Sequence, residues 1–228
     1  MAQPVQIGIL IYPNVTQLDA TGPAQVLARV PGSKLHMIWK TRDPVPTDAG
    51  FSIVPTTTFA DCPQLDVICV PGGGGQVPLM TDQETLDFLR KQAAGARYVT
   101  SVCTGSLILG AAGLLKGYRS ACHWAWRDLL GEFGAIPVAE RVVRDRNRIS
   151  GGGVTAGIDF GLALAAELVG EEAAKMLQLS FEYDPQPPFD CGSPEKAGEE
   201  RVRRLRERLA PMLDVRRAAN AQAAQRLQ

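Results

Sequence analysis

The segment YVTSVCTGSLILGAAGLL, Tyr98 to Leu115, runs five residues of strand character into a single cysteine, Cys103, and then turns at once into small residues and an apolar stretch. A side chain on a sharp strand-to-helix turn is thrust into the cleft beyond the sheet. The helix behind it offers free N–H groups and the positive end of its dipole. Both effects favour a thiolate, so a thiol with an ordinary pKa near ~8.5 is expected here at a lowered value. Thr104, Gly105 and Ser106 supply the small neighbours a nucleophile elbow requires.

Asp19, in LDATGP, is the second residue able to do chemistry, because it follows the first apolar run and can face the thiol. A carboxyl beside a thiol shares one proton with it, ready to give and take back. The plainer reading is a turn or capping aspartate in a loop ahead of a helix that starts near Pro23. Gly72 to Gly75 end another apolar run. They are either a tight turn or a source of N–H groups that stabilise charge developing beside the nucleophile. The run matches neither GxxxxGK[ST] nor GxGxxG, so phosphate binding lacks support. His123, in SACHWAW, is a candidate base, but its tryptophan neighbours favour packing or capping. Cys62, Cys69, Cys122 and Cys191 read as buried apolar residues.

The elements that position these residues alternate. VQIGILIYP, KLHMIWK, DVICVPGGGG and RYVTSV read as strands buried in a parallel sheet, and DQETLDFLRKQAAGA reads as a capped helix. Such alternation specifies a doubly wound α/β fold, with ligands bound beyond the carboxyl ends of the strands. The segments holding Asp19, Gly72 to Gly75 and Cys103 should therefore meet at one edge. Further on, ERVVRDRNRISGGG reads as a hairpin turning at Asp145 to Asn147, with VTAGIDFGLALAAELVG and EEAAKMLQLSFEYD as helices. The last segment puts Val202, Leu205, Leu209, Met212 and Leu213 on one stripe. Pro211 is expected to kink or divide that helix, and its arginines to be solvated.

With 24 basic and 24 acidic residues among 228, and 45% hydrophobic composition, the chain has no basic excess. Nucleic acid and anionic membrane are poor default partners. The longest apolar stretch is too short to span a bilayer, and Met1 leads straight into a strand-like run without a secretory leader, so a soluble cytoplasmic protein is expected. Five cysteines without a repeating spacing and two histidines argue against a disulfide framework and a metal site.

Taken together, SVCTGSLILGAAGLLKGYRSACHW, PGGGG, LDATGP and GGGVTAGIDFGLALAAEL resemble the ThiJ/PfpI superfamily, from Val5 to about Pro194. The resemblance implies a flavodoxin-like three-layer α/β sandwich with a mainly parallel sheet and a cysteine on a nucleophile elbow. It divides the chain into an α/β domain, 1–194, and a C-terminal helical extension, 195–228. Within the superfamily the chain is most similar to the branch that hydrates isocyanides to N-substituted formamides, which implies a cofactor-free homodimeric enzyme with a small isocyanide substrate. Asp19 stands where many members carry glutamate, and Thr104 where the protease-like branch has histidine, so peptidase activity is not expected. Carried over, Cys103 is the nucleophile, Asp19 the acid/base and Thr104 its support. Gly72, Gly73 and Val154 lie at the substrate and oxyanion side, with Val154 in place of a usual isoleucine. The alternatives are a glyoxalase- or deglycase-like enzyme on α-oxoaldehydes, a ligand-sensing domain related to AraC-type regulators, and a redox sensor. The tail after Pro194 is too short for the helix-turn-helix region of such regulators.

Overall fold

The apolar runs form the middle of a seven-stranded sheet in the computed structural model, which describes residues 3–227. Met1, from which the leader reading starts, lies outside the described residues, as do Ala2 and Gln228. The strands are β1 (Val5–Leu10), β2 (Ser33–Trp39), β3 (Thr57–Thr58), β4 (Val67–Val70), β5 (Tyr98–Val102), β6 (Val142–Asp145) and β7 (Arg148–Gly151). Their order is β6-β7-β5-β4-β1-β2-β3. Every pairing is parallel except the β6–β7 hairpin at one edge. Ile7 aligns with Leu35 on one side and Val67 on the other, so β1 is covered by neighbours on both flanks. That position explains why Ile7, Ile9 and all of β4 are buried and why these segments show no polar alternation.

The helices are α1 (Gln17–Leu27), α2 (Gln76–Leu79), α3 (Gln83–Gly95), α4 (Gly105–Ala111), α5 (Ala156–Val169), α6 (Glu171–Ser180), α7 (Pro194–Ala197) and α8 (Glu199–Gln225). α1 packs on α5, and α5 on α6. α4 packs on α2, α3 and α8, completing a three-layer sandwich. Asp82 caps α3 by accepting the Thr85 N–H at 2.8 Å.

Two helix boundaries differ from expectation. α1 begins at Gln17, so Asp19 lies in its first turn rather than in a preceding loop, and Pro23 sits inside the helix. Thr16 is already extended, and the acidic side chain suits the positive end of the helix. α8 is not divided at Pro211, whose exposed position leaves the unpaired carbonyl to solvent. Of the expected stripe, Val202, Leu209 and Leu213 are half-buried, the last two against the core, and Leu205 and Met212 are exposed; the inward face continues through the buried Arg216, Asn220 and Ala223. Cys191, expected in the interior, is exposed. Among the described residues no helix is long and apolar enough to cross a membrane.

Candidate active site

β1, β4 and β5 are parallel neighbours, so the segments leaving their carboxyl ends are forced to one edge of the sheet. The first brings Tyr12 and Asp19, the second Gly72 and Gly73, the third Cys103 and Thr104. Cys103 has a φ of 58°, in the left-handed region that non-glycine residues rarely adopt, which is the strained backbone of an elbow. Its N–H donates to the Gly151 carbonyl at 3.0 Å, and its own carbonyl accepts from Ser106 Oγ at 3.0 Å. Surrounding structure thus holds the strain in place.

The expected convergence is present. Asp19 is completely buried, and its Oδ2 accepts the Gly72 N–H at 3.0 Å. The Gly73 N–H donates to Thr104 Oγ1 at 3.1 Å. Both N–H groups thus donate to side chains of the site, one to Asp19 and the other to Thr104. Only glycine fits at position 72, because a Cβ there would lie 2.5 Å from the Thr104 nitrogen and 2.9 Å from Asp19 Oδ2. The Cys103 thiol stands beside the Asp19 carboxyl, whereas Asp19 Oδ1 has no well-formed hydrogen-bond partner.

Burial dominates the proton affinities. It raises the Asp19 pKa from 3.8 to about 7 against the opposing hydrogen bonds from Cys103 and Gly72. Burial also pushes the Cys103 thiol up, the Asp19 and Cys122 charges add to the effect, and the Thr104 N–H opposes it. The expected lowered thiol pKa is therefore overturned: the helix end acts with the anticipated sign, but desolvation outweighs it. Both groups of the pair therefore hold their protons more tightly than they would in water.

Three further buried residues, Tyr12, Gln76 and Arg216, lie on the segments that leave these strand ends or cover them. Tyr12, fully buried, donates its hydroxyl to the Pro71 carbonyl at 2.8 Å and ties the β1 and β4 ends together. Arg216, reaching in from α8, donates from Nε to Gln76 Oε1 at 3.0 Å, and its guanidinium lies 4.2 Å from the centre of the Trp126 ring. Tyr12 closes an apolar run at a strand end and Gln76 directly follows the glycine run, so position along the chain marks both. Arg216 has no such local mark among the arginines of α8.

His123 is half-buried. Its Nδ1 accepts the Ala125 N–H at 3.3 Å and its ring stacks on Trp124, which is the packing and capping role expected of it. Val154 lies three residues beyond Gly151 and lines a cavity of about 340 Å³ with Cys122, His123, Glu140 and Arg141. No group of His, Cys, Asp and Glu among the described residues is arranged to hold a metal ion.

Known proteins resemble this chain to different degrees. An isonitrile hydratase of Pseudomonas putida is 58% identical over 223 residues, covering 98% of both chains. A solved ThiJ/PfpI family protein from Pseudomonas syringae superposes with a TM-score of 0.93 at 48% identity, covering 96% of this chain and 91% of that one. The HTH-type transcriptional regulator GbdR of Pseudomonas aeruginosa is 31% identical over 190 residues, which span 79% of this chain and 51% of the regulator. Residues 5–167, from β1 through most of α5, match the DJ-1/PfpI family, and the chain belongs to it.

Proposed function

We propose that this protein is an isocyanide hydratase, adding water to an isocyanide to give an N-substituted formamide. The observation that carries the reading is the buried pair of Cys103 and Asp19 in a chain 58% identical, end to end, to an isonitrile hydratase. The terminal carbon of an isocyanide is weakly electrophilic and becomes basic once attacked. A hydratase therefore needs a strong nucleophile and a proton donor side by side.

In this reading the Cys103 sulfur bonds to the terminal carbon while Asp19 delivers the shared proton to that same carbon, leaving a thioimidate. Asp19, now ionised, takes a proton from water as the water oxygen bonds to carbon, and passes it to the substrate nitrogen. Collapse of the adduct breaks the carbon–sulfur bond, the hydroxyl proton returns to Asp19, and the formamide leaves. Thr104 and the Gly72 and Gly73 N–H groups position Asp19 and the elbow. Val154 shapes the approach.

Three finer points belong to the same reading. The protein acts as a homodimer, for which the exposed Met176 and Leu179 of α6, with Phe189, offer apolar surface. It works in the cytoplasm, where Cys103 stays reduced, in keeping with five free cysteines. Residues 195–228 form an extension to the α/β domain.

The test is to incubate the protein with cyclohexyl isocyanide and follow formamide by chromatography, with Cys103→Ala alongside. Formamide from the wild type and only background from the variant is the expected result. Turnover in Cys103→Ala would exclude covalent catalysis. Absence of formamide from protein with a reactive Cys103 would turn the reading toward α-oxoaldehydes or a ligand sensor of the GbdR kind.

A further inference from the structure

Arg216 is a cation in an unusual place. Its residue is 4% exposed, yet among the described residues no carboxylate pairs with it. Its acceptor is the neutral Gln76 Oε1, and its flat face lies on Trp126. Gln76 is itself fully buried, with Nε2 held at 2.9 Å by the Met80 sulfur, so the arginine is seated rather than tucked away by chance. Burying a cation without a counter-charge is unfavourable, so a fold that does so places a positive potential where an anion is to appear.

The anion is identified by what surrounds the guanidinium. α8 packs on α2, which follows the glycine run, and on α4, which follows the Cys103 elbow. Burial lowers the proton affinity of the guanidinium while Cys103, Cys122 and Tyr12 hold it up, and the guanidinium adds to the lowering that burial imposes on His123. Tyr12 is committed to donating its proton to Pro71, and burial pushes the Cys122 thiol up to about 12. Asp19 faces Cys103 from α1, Asp48 reaches Asp19 and Tyr12, and Arg127 reaches Cys122. Of Cys103, Cys122 and Tyr12, only Cys103 becomes an anion during the proposed reaction; Asp19, which also ionises in it, is not among the groups that act on the guanidinium.

We propose that Arg216 is a positioning residue of the active site, its unpaired guanidinium seated by Gln76 and Trp126 to stabilise the Cys103 thiolate as it forms. The inference rests on the reading of Cys103 as the nucleophile. It also assigns a function to α8, which lies outside residues 5–167, the part matched to the family. Asp19 alone is an awkward partner for a thiolate, since its own ionised form repels one. Arg216 favours the microstate in which sulfur is ionised and Asp19 carries the proton, the state needed for attack.

The test reads Cys103 alone. The pH dependence of its alkylation by iodoacetamide is followed by peptide mass spectrometry, with the exposed Cys191 as internal reference. Arg216→Gln keeps a hydrogen-bonding group for Gln76 and removes the charge. It is expected to raise the Cys103 midpoint by about one pH unit and to slow alkylation near neutrality by about tenfold. Arg216→Lys, which keeps the charge, is expected to hold the wild-type midpoint, and Cys191 is expected to be unchanged throughout. An unmoved Cys103 midpoint in folded Arg216→Gln overturns the proposal. If Arg216→Gln loses cooperative melting, Arg216→Lys decides, since it keeps the charge but loses the planar contacts. A wild-type midpoint there supports the proposal, and a raised one overturns it. Isocyanide turnover is not read, so a failure of the hydratase reading leaves this result separate.

Discussion

Asp19 is a carboxyl shut away from water and given one good donor, the Gly72 N–H, so it retains its proton up to about pH 7. In the unfolded chain it ionises near its ordinary value of 3.8. Between those values the folded protein holds a proton that the unfolded chain has released. The stabilising contribution of this group is therefore complete below the lower value and is lost as pH rises through the upper one. Asp19→Asn has no proton to lose, so its stability relative to the wild type is expected to improve across that window, by up to about 4 kcal/mol. Denaturant unfolding at both ends of the window checks this, and a difference that stays constant with pH would show that Asp19 ionises normally. In the same variant formamide production is expected to fall by at least ~100-fold, because the exchangeable proton is gone. Asp19 and Cys103 were legible as a pair from their places after two apolar runs. Their proton affinities were not, because burial depends on what other segments lay over them.

The central strands were readable as elements because strands covered on both faces need apolar residues at every position, as in β4, and that pattern is local. The start of α1 was not readable from Pro23, since a proline inside a first or second turn looks the same in sequence as one at the helix start. α8 shows a different limit. A stripe chosen by its apolar residues finds Leu209 and Leu213 but misses the polar continuation of the buried face through Arg216 and Asn220, which is tied down by Asn220 Nδ2 donating to the Leu129 carbonyl at 2.9 Å. Ending the chain after Pro194 removes those contacts and uncovers α4. Thermal melting is expected to fall by several degrees or more, with faster and less selective Cys103 alkylation. Unchanged melting would mean that α8 only decorates the surface. At the turn between β4 and α2, Gly72→Ala forces a Cβ onto Thr104 and Asp19. A loss of about 1–3 kcal/mol is expected in unfolding experiments, with most of the activity lost.

At the scale of the whole molecule, the sheet brings three strand ends together and the layers then close over them: Asp19 is 0%, Thr104 1% and Cys103 6% exposed. Closure gives the pair its shared proton and also restricts what can reach it. The cavity of about 340 Å³ lined by Cys122, His123, Gly152 and Val154 comes near the site, since Gly152 directly follows Gly151, whose carbonyl accepts the Cys103 N–H. An isocyanide suits such an approach, because its reacting end is a single slender carbon with little to hydrogen-bond. Size should therefore govern reactivity more than polarity. Iodoacetamide is expected to modify Cys103 more slowly than Cys191, and a bulky dye maleimide to modify Cys191 while sparing Cys103. If this cavity is the path, Val154→Trp should narrow it without touching the Cys103–Asp19 pair. Its kcat/KM is expected to fall by about tenfold or more for cyclohexyl isocyanide and by much less for methyl isocyanide. Equal losses for the two substrates would place the path elsewhere, because a group that obstructs passage must discriminate by size.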